Sequence, residues 1–432
     1  MLINFSVANW QSFRDKVTLS MVASREKQHL ERVADTGKSK LRILPTAAIY
    51  GANASGKTKL FNAMAFAQRF VTRITQPDSL ISREYFKLDK QYTEQPSYFS
   101  FELLIDEISY EFNFSITNKH IVEEKLIKVL GSTDKVLYHR INGKIELSKE
   151  YKENQRLVFV AEGTRDNQLF LTNSVDQKLT EFQAIYDWFK YKLILLGPQT
   201  SHRGVFDMDF MSDVLAKLDT GIYKVERKDV PIENLQLPEE FKLRLFEELS
   251  ENDSAKIGGF NGEIEISKKN GMLAAKKLGF FHKTSEGKDV EFEKRDESAG
   301  TLRIMDLAPV FQKLLDLKTD ATYFIDEIDR CFHTLVTRSF IETYLNSCTP
   351  QTRSQLIFTT HDVLLMDQHL LRRDEIWVTE KDEQGCSTLF SFGDYKDIRY
   401  DKDIRKSYLQ GRLGGIPKIL LWGSEVKNFN KS

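Results

Sequence analysis

The sequence is poor in the residues that would staple or metallate a fold. Its only cysteines are Cys331, Cys348 and Cys386. Their odd number and the lack of a CxxC pair argue against a disulfide framework and a zinc site, and suit a reducing compartment. Eight histidines are scattered without an HExxH motif or a Cys/His cluster. Net charge is scarce too: 62 basic residues against 63 acidic ones leave −1. No global attraction to nucleic acid follows, so any DNA contact must come from a local patch. No apolar run reaches the ~18 residues of a membrane span, and no charged-then-apolar leader opens the chain. The expectation is a cytoplasmic protein with no membrane partner. Repeats, low-complexity tracts and long heptad arrays are absent as well, which argues against an extended coiled-coil arm.

What remains is ordinary globular material: 432 residues, 41% hydrophobic and 29% charged, enough for two or three domains. One stretch organises it. Gly51 to Thr58 reads Gly-Ala-Asn-Ala-Ser-Gly-Lys-Thr, a P-loop pattern without a mismatch. Glycines at both ends let the backbone curl its N–H groups inward as a nest for phosphate oxygens. Lys57 supplies a mobile charge for the β- and γ-phosphates, and the Thr58 hydroxyl can ligate Mg²⁺. Gly51, Asn53, Ser55, Gly56, Lys57 and Thr58 are the candidate nucleotide-binding residues. Ala47 to Tyr50 reads as a buried strand before the loop. Leu60, Met64 and Ala67 mark a helical face after it, aiming a helix N-terminus at the same anion.

Upstream, Leu2 to Trp10 reads as a strand with Ile3, Phe5 and Val7 on one face, and Val17 to Val22 as a second. On periodicity alone they are a sheet edge. Ser24 to Lys40 reads as a polar loop. Period-two patterning then runs from Tyr98 to Ser148, with strands at Phe99 to Ile105, Ser109 to Ser115 and Lys135 to Ile145. Asp106-Glu107, Thr117-Asn118 and Asn142-Gly143 supply turns. This is a β-meander appended to the P-loop core.

From about 150 to 290 the pattern changes. Leu179 to Leu196 and Pro238 to Leu249 have helical spacing, and Glu263 to His282 reads as a hairpin around Asn270-Gly271. Lys268, Lys269, Lys276, Lys277, Lys283 and Lys288 crowd this hairpin. They read as a solvated face or as a contact patch for a phosphate backbone. Beyond it, Glu297 to Thr301 precedes an apolar helix, Leu302 to Leu315. Ala321 to Ile325 is a buried strand ending in Asp326-Glu327. Arg338 to Leu345 reads as a helix, and Gln355 to Thr360 as a buried strand ending in His361. Glu375 to Glu380 and Ser387 to Phe392 are strand-like, and Ile404 to Ile416 is a basic, glycine-bearing tail. The division expected is 1–148, 149–290 and 291–432: an N-terminal lobe, a mixed insert and a C-terminal lobe.

Ligands of open α/β sheets sit at the carboxyl ends of strands. The P-loop strand, the Asp326-Glu327 strand and the His361 strand should therefore deliver their ends to one edge. Asp326 is then the Walker-B carboxylate that holds Mg²⁺ directly or through water. Glu327 can orient and polarise the attacking water, and Lys57 and His361 complete the catalytic set. His361 reads either as a γ-phosphate partner or as a satisfied strand-end histidine. Ser298-Ala299-Gly300 reads as a helix N-cap or as an anion site.

These motifs together resemble an ABC-type ATPase of the OLD-like and SMC-like branch, over nearly the whole chain. The narrower resemblance is to stand-alone ATPases of phage-defence and abortive-infection loci, specifically the AriA family of PARIS systems. Phe5 to Leu19, Leu218 to Ile222 and Ser407 to Pro417 carry it. The resemblance implies an α/β fold: an ABC-type P-loop ATPase with an antiparallel β-meander and a mixed helical and hairpin insert. It implies ATP and Mg²⁺ as cofactors, a signature at Ser298 to Thr301 with Ser298 and Gly300 on the nucleotide, a D-loop at Ile328 to His333, and His361 as switch. It also implies homo-oligomers bridged by nucleotide, a separate TOPRIM-like nuclease as effector, and a phage-encoded protein as candidate trigger. Two departures stand out. The signature reads Glu-Ser-Ala-Gly-Thr, and no glutamine occupies a clear Q-loop position, Gln76 being a weak candidate.

The alternative reading is an ATPase of DNA processing or repair acting directly on DNA. Asp207/Asp209 and Asp401/Asp403 lack the apolar strand and glycine-flanked glutamate of a nuclease in the same chain. They read as loop or helix-cap carboxylates. A transporter ATPase subunit fits worse, given the long insert and the degenerate signature.

Overall fold

Thr46–Gly51 is buried at every position, as a strand must be when both faces are covered. In the computed structural model it lies inside a six-stranded sheet ordered Leu193–Leu196, Thr322–Ile325, Gln355–Thr359, Thr46–Gly51, Ile376–Lys381 and Ser387–Ser391. The first five strands run parallel, and only the last is antiparallel to its neighbour. The Asp326-Glu327, His361 and P-loop strands therefore end at one edge. The structure describes residues 1–37, 41–131, 133–198, 207–235, 237–251, 253–259, 262–395 and 403–416.

A second sheet is antiparallel and seven-stranded, running from Lys144–Leu147 through Lys135–Ile141, Ile121–Val129, Ile108–Ile116 and Ser97–Ile105 to Leu2–Ala8 and Val17–Ser20. The opening strands and the meander are thus one sheet, with Phe5 opposite Phe101 and their rings 4.8 Å apart. Between the two sheets lies the helix Lys57–Thr72. Phe66 packs on Trp10 and Phe99, Phe70 on Phe114, and Phe61 on Phe324 of the parallel sheet. Gln355, fully buried, ties the sheets directly: its amide accepts from Leu2 N and donates to the Leu2 and Leu44 carbonyls.

Strand Ile121–Val129 escapes a reading based on alternation, because Glu123-Glu124-Lys125 interrupts its apolar pattern. Glu124 points inward and is fully buried. Its carboxylate accepts hydrogen bonds from Phe170 N (2.7 Å), Leu171 N (3.0 Å) and the Tyr138 hydroxyl (2.9 Å), with the Arg140 guanidinium 4.0 Å away. Burial raises its pKa, and Arg140 opposes the shift. The charge pins the first turn of helix Phe170–Asp176 to the sheet.

The described residues form two compact units. One comprises those of Met1–Gln199, Leu314–Asp329 and Thr337–Ser432, the other those of Thr200–Lys313 and Arg330–Val336. Both differ from the three-part sequence division. Residues 149–198 belong with the P-loop unit, since Phe170, Phe182, Trp188 and Phe189 join its core. Residues 291–313 belong with the second unit. Within Leu179 to Leu196 the helix is short. Gln183–Asp187 passes through a π-turn, Trp188–Lys192, into the edge strand Leu193–Leu196. Four apolar residues in a row carry no periodicity of their own, and parallel pairing with Thr322–Ile325 makes them a strand.

The second unit holds helices Met208–Lys217 and Glu239–Glu248 and an antiparallel sheet around Met272–Lys283. Asn270 and Gly271 turn its hairpin with positive φ at both positions, as a two-residue turn of this kind requires. Lys277, Lys283, Lys288 and Lys276 pair with Glu293, Asp289, Glu286 and Asp229, while Lys268 donates to the Phe246 carbonyl. This compensation favours the solvated-face reading; the Lys269 side chain lies outside the described residues. Ile404–Leu409, within the stretch read as a tail, is a short helix. Lys40 and Pro417 lie outside the described residues.

Replacing Glu124 with Ala would strand the Phe170 and Leu171 amides and the Arg140 charge in a dry core. The expected loss is about 3–5 kcal/mol of unfolding free energy, read as a lower urea midpoint. A change below 1 kcal/mol would mean that this pairing does not anchor the helix.

Candidate functional site

The loop after Thr46–Gly51 takes its shape from positions where a side chain does not fit. Gly51 has φ +146° and Gly56 φ +131°, conformations that favour glycine. A Cβ on Gly51 would collide with the Thr379 carbonyl and with the Ser55 and Thr379 hydroxyls, and one on Gly56 would meet Ser387 Oγ at 2.9 Å. Ser55 Oγ and Thr379 Oγ1 lie 2.6 Å apart, bracing the loop on the neighbouring strand. Lys57 is buried and donates to the Gly51 (2.7 Å) and Ala52 (3.1 Å) carbonyls. Burial lowers its pKa to about 8, against the pull of Asp326, Asp329 and Glu327. The ammonium thus bonds to its own loop's carbonyls while three carboxylates act on it electrostatically.

Asp326 and Glu327 follow Thr322–Ile325 directly. Asp326 N is bonded to Leu196 O (2.9 Å), so the edge strand helps to set its height. Thr359, at the end of the adjacent strand, is fully buried. Its hydroxyl donates to Asp326 Oδ1 (2.6 Å) and accepts from Glu327 N (2.8 Å). One side chain thereby orients both carboxylate-bearing residues. Glu327 has φ +53°, a left-handed conformation that costs a residue with a Cβ about 1–3 kcal/mol. The turn aims the two acids differently: Asp326 is fully buried and Glu327 half-buried.

His361 stands at the exposed mouth, its backbone N bonded to Asp329 Oδ2 (3.2 Å) and its Nδ1 3.5 Å from Lys57 Nζ. Partial burial, and then the Lys57 charge, lower its pKa. A neutral ring with Nδ1 toward Lys57 leaves Nε2–H as the donor. Asn53, Ser55, Gly56, Lys57, Thr58, Glu327 and His361 line one cleft of about 280 Å³, joined by Ser12 and Lys381. Thr359, Thr379, Ser12 and Lys381 carry no motif in the sequence: Thr359 and Lys381 end strands, Thr379 lies inside one, and Ser12 lies in the turn between the opening strands. Ser12 reaches the cleft from the opening strands, through bonds with Ser387.

Mg²⁺ fits this set. Asp326 Oδ2 is buried without a hydrogen-bond partner, as expected of an oxygen reserved for a cation or its water. Thr58, exposed at the cleft, adds a hydroxyl. Among the described residues no group of three acidic, histidine or cysteine side chains could hold a metal alone, so nucleotide and water would supply the remaining ligands.

Ser298 and Gly300 lie in the second unit, outside the cleft lining. Ser298 Oγ accepts from Thr301 N (3.0 Å) at the start of helix Ala299–Leu314, a helix cap. Gly300 allows close approach, since a Cβ there would meet the Cys331 carbonyl at 2.9 Å. Gln76 follows a 16-residue helix, about 24 Å from the loop that starts it. Asp207 caps Met208–Lys217 and Asp403 caps Ile404–Leu409, as the helix-cap reading expects; Asp401 lies outside the described residues.

Two outcomes follow from the geometry. Thr359→Val removes the bridging hydroxyl and should lower Mg²⁺-dependent ATP turnover about 10- to 100-fold, while Thr359→Ser restores it. Equal rates for Val and Ser would remove Thr359 from the site. Affinity for a fluorescent ATP analogue should hold up to pH 8 and then fall, by up to about tenfold per pH unit, because Lys57 deprotonates. Lys57→Ala should bind weakly with no such slope, and a persisting slope in that variant would assign the titration elsewhere.

No curated protein matches the chain. Among solved structures it is similar to the SMC head domain from Thermotoga maritima, at 13% identity and TM-score 0.33, over 90% of this chain and 98% of that one. No helix among the described residues is long and apolar enough to cross a membrane. Residues 47–367 match the family model described as "AAA domain, putative AbiEii toxin, Type IV TA system". That match spans well over half of the chain and runs from the P-loop strand past Asp326, Glu327 and His361, so the chain belongs to this AAA-domain family.

Proposed function

We propose that this chain is the ATP-binding and ATP-hydrolysing subunit of an anti-phage defence system of the abortive-infection type, and that it controls a separate effector. The hydrolytic half of this reading rests on the Thr359 hydroxyl, which donates to the Asp326 carboxylate and accepts from the Glu327 backbone N–H, next to the cleft that Glu327 lines with the P-loop. The defence half is supported by the family description, which names an AbiEii toxin, and by the resemblance to the AriA ATPase of PARIS systems. That resemblance points to a TOPRIM-like nuclease acting in trans.

In this reading Lys57 exchanges its loop carbonyls for β- and γ-phosphate oxygens. Thr58 and Asp326 would hold Mg²⁺, which when bound would offset the phosphate charge. Glu327 accepts a hydrogen bond from the attacking water and takes its proton as the new O–P bond forms and the β–γ bridge breaks. His361 offers Nε2–H to the γ-phosphate. Ser298 to Thr301 of a second copy would close over the nucleotide, giving a homo-oligomer with composite sites.

Glu327→Gln tests the mechanism. ATP-analogue affinity should stay within about threefold while turnover falls about 10²-fold or more, and the wild-type chain alone should leave supercoiled plasmid intact. Wild-type turnover in the variant would remove Glu327 from the chemistry. Nicking by the chain alone would place a nuclease in cis.

A further inference from the structure

A second cavity, of about 410 Å³, opens beside the far end of the P-loop helix. Its floor is aromatic: Trp10, Phe66 and Phe70 line it, and each is nearly or fully buried. Two exposed aliphatic side chains, Ile74 (52% exposed) and Leu80 (69%), stand among its lining residues, where a monomer gains nothing by showing them. Arg69 and Arg73, one helical turn apart, line it too and are exposed. Neither guanidinium has an ion pair or side-chain hydrogen bond among the described residues. The one acid in the lining, Glu84, is engaged by the Gln11 amide (2.7 Å). Trp10 adds an indole N–H that is buried without an acceptor, a cost unless some group supplies one.

A cavity with an aromatic floor, exposed aliphatics and two free cations in its wall matches a particular ligand: an apolar side chain flanked by carboxylates. We propose that this cavity is a docking site for an acidic peptide segment of a partner protein, which inserts one apolar anchor residue between Ile74 and Leu80 and sets carboxylates on Arg69 and Arg73. Single-stranded nucleic acid fits less well, because a base needs an open ring face. Here Phe66 stacks on Phe70 at 5.6 Å and Trp10 packs on Phe66 at 4.6 Å. Both arginines sit at the carboxyl end of the helix whose amino end carries Lys57, so a docked segment would grip the element that holds the nucleotide.

The test is selection from a random peptide display library on the full-length wild-type chain, counter-selected on Arg69→Glu/Arg73→Glu. Enriched sequences should carry Asp or Glu around a Leu, Ile, Met or Phe. A synthetic winner should bind the double variant and Leu80→Asp at least tenfold more weakly, while ATP-analogue affinity is unchanged in both. The proposal is overturned if no enrichment depends on the arginines, or if the winners are basic or lack an apolar anchor. It is equally overturned if labelled oligodeoxythymidine, rather than peptide, loses affinity in the double variant.

Discussion

The constraint on which the structure depends is the double-sided burial of the helix that follows the P-loop. Lys57–Thr72 is sandwiched between a parallel and an antiparallel sheet, with Phe61 on one side and Phe66 and Phe70 on the other. Burying an aromatic side chain of this size stabilises by about 1.5–3 kcal/mol, so several together fix the helix axis against both sheets. The loop at its amino end inherits that rigidity. Phosphate recognition by backbone N–H groups needs such preorganisation, because a nest that had to form on binding would lose affinity to ordering.

Polar contacts supply what apolar packing cannot. Gln355 links the first strand of one sheet to the centre of the other with two hydrogen bonds to the Leu2 backbone, and adds a third to the Leu44 carbonyl. Four residues further on, Thr359 performs the same task for chemistry, joining Asp326 to the Glu327 backbone. The strand Gln355–Thr359 therefore carries both the structural clamp and the orienting hydroxyl. It lies between the P-loop strand and the Asp326 strand, where it can reach both.

Motif chemistry was legible early. The P-loop, Asp326-Glu327 and His361 are each visible as short patterns next to apolar runs, and Glu327 and His361 line one cleft with the loop, while Asp326 lies buried beside it. Supporting residues were not. Thr379 and Thr359 look like any strand threonine until the partner strand is known, since their meaning lies in cross-strand distance. The strand holding Glu124 was hidden for a related reason. A buried carboxylate reads as solvent-facing until Phe170 N, Leu171 N, Tyr138 and Arg140 surround it. Likewise Leu193–Leu196, which helical spacing assigns to the preceding helix, is a strand because it pairs with Thr322–Ile325.

Local order determined the parts: which residues can curl around phosphate, which runs are buried on both faces, and which turn needs two positive φ angles. These follow from backbone sterics and periodicity within a few residues, so a sequence carries them directly. Tertiary structure decided the assembly. It joined the opening strands to the meander and moved residues 149–198 into the P-loop unit. It also placed Ser12 and Lys381 on the cleft and set Ser298 in a unit of its own core. Such outcomes depend on contacts between residues far apart in the chain, whose energies are set by shape and burial and leave no local pattern to read.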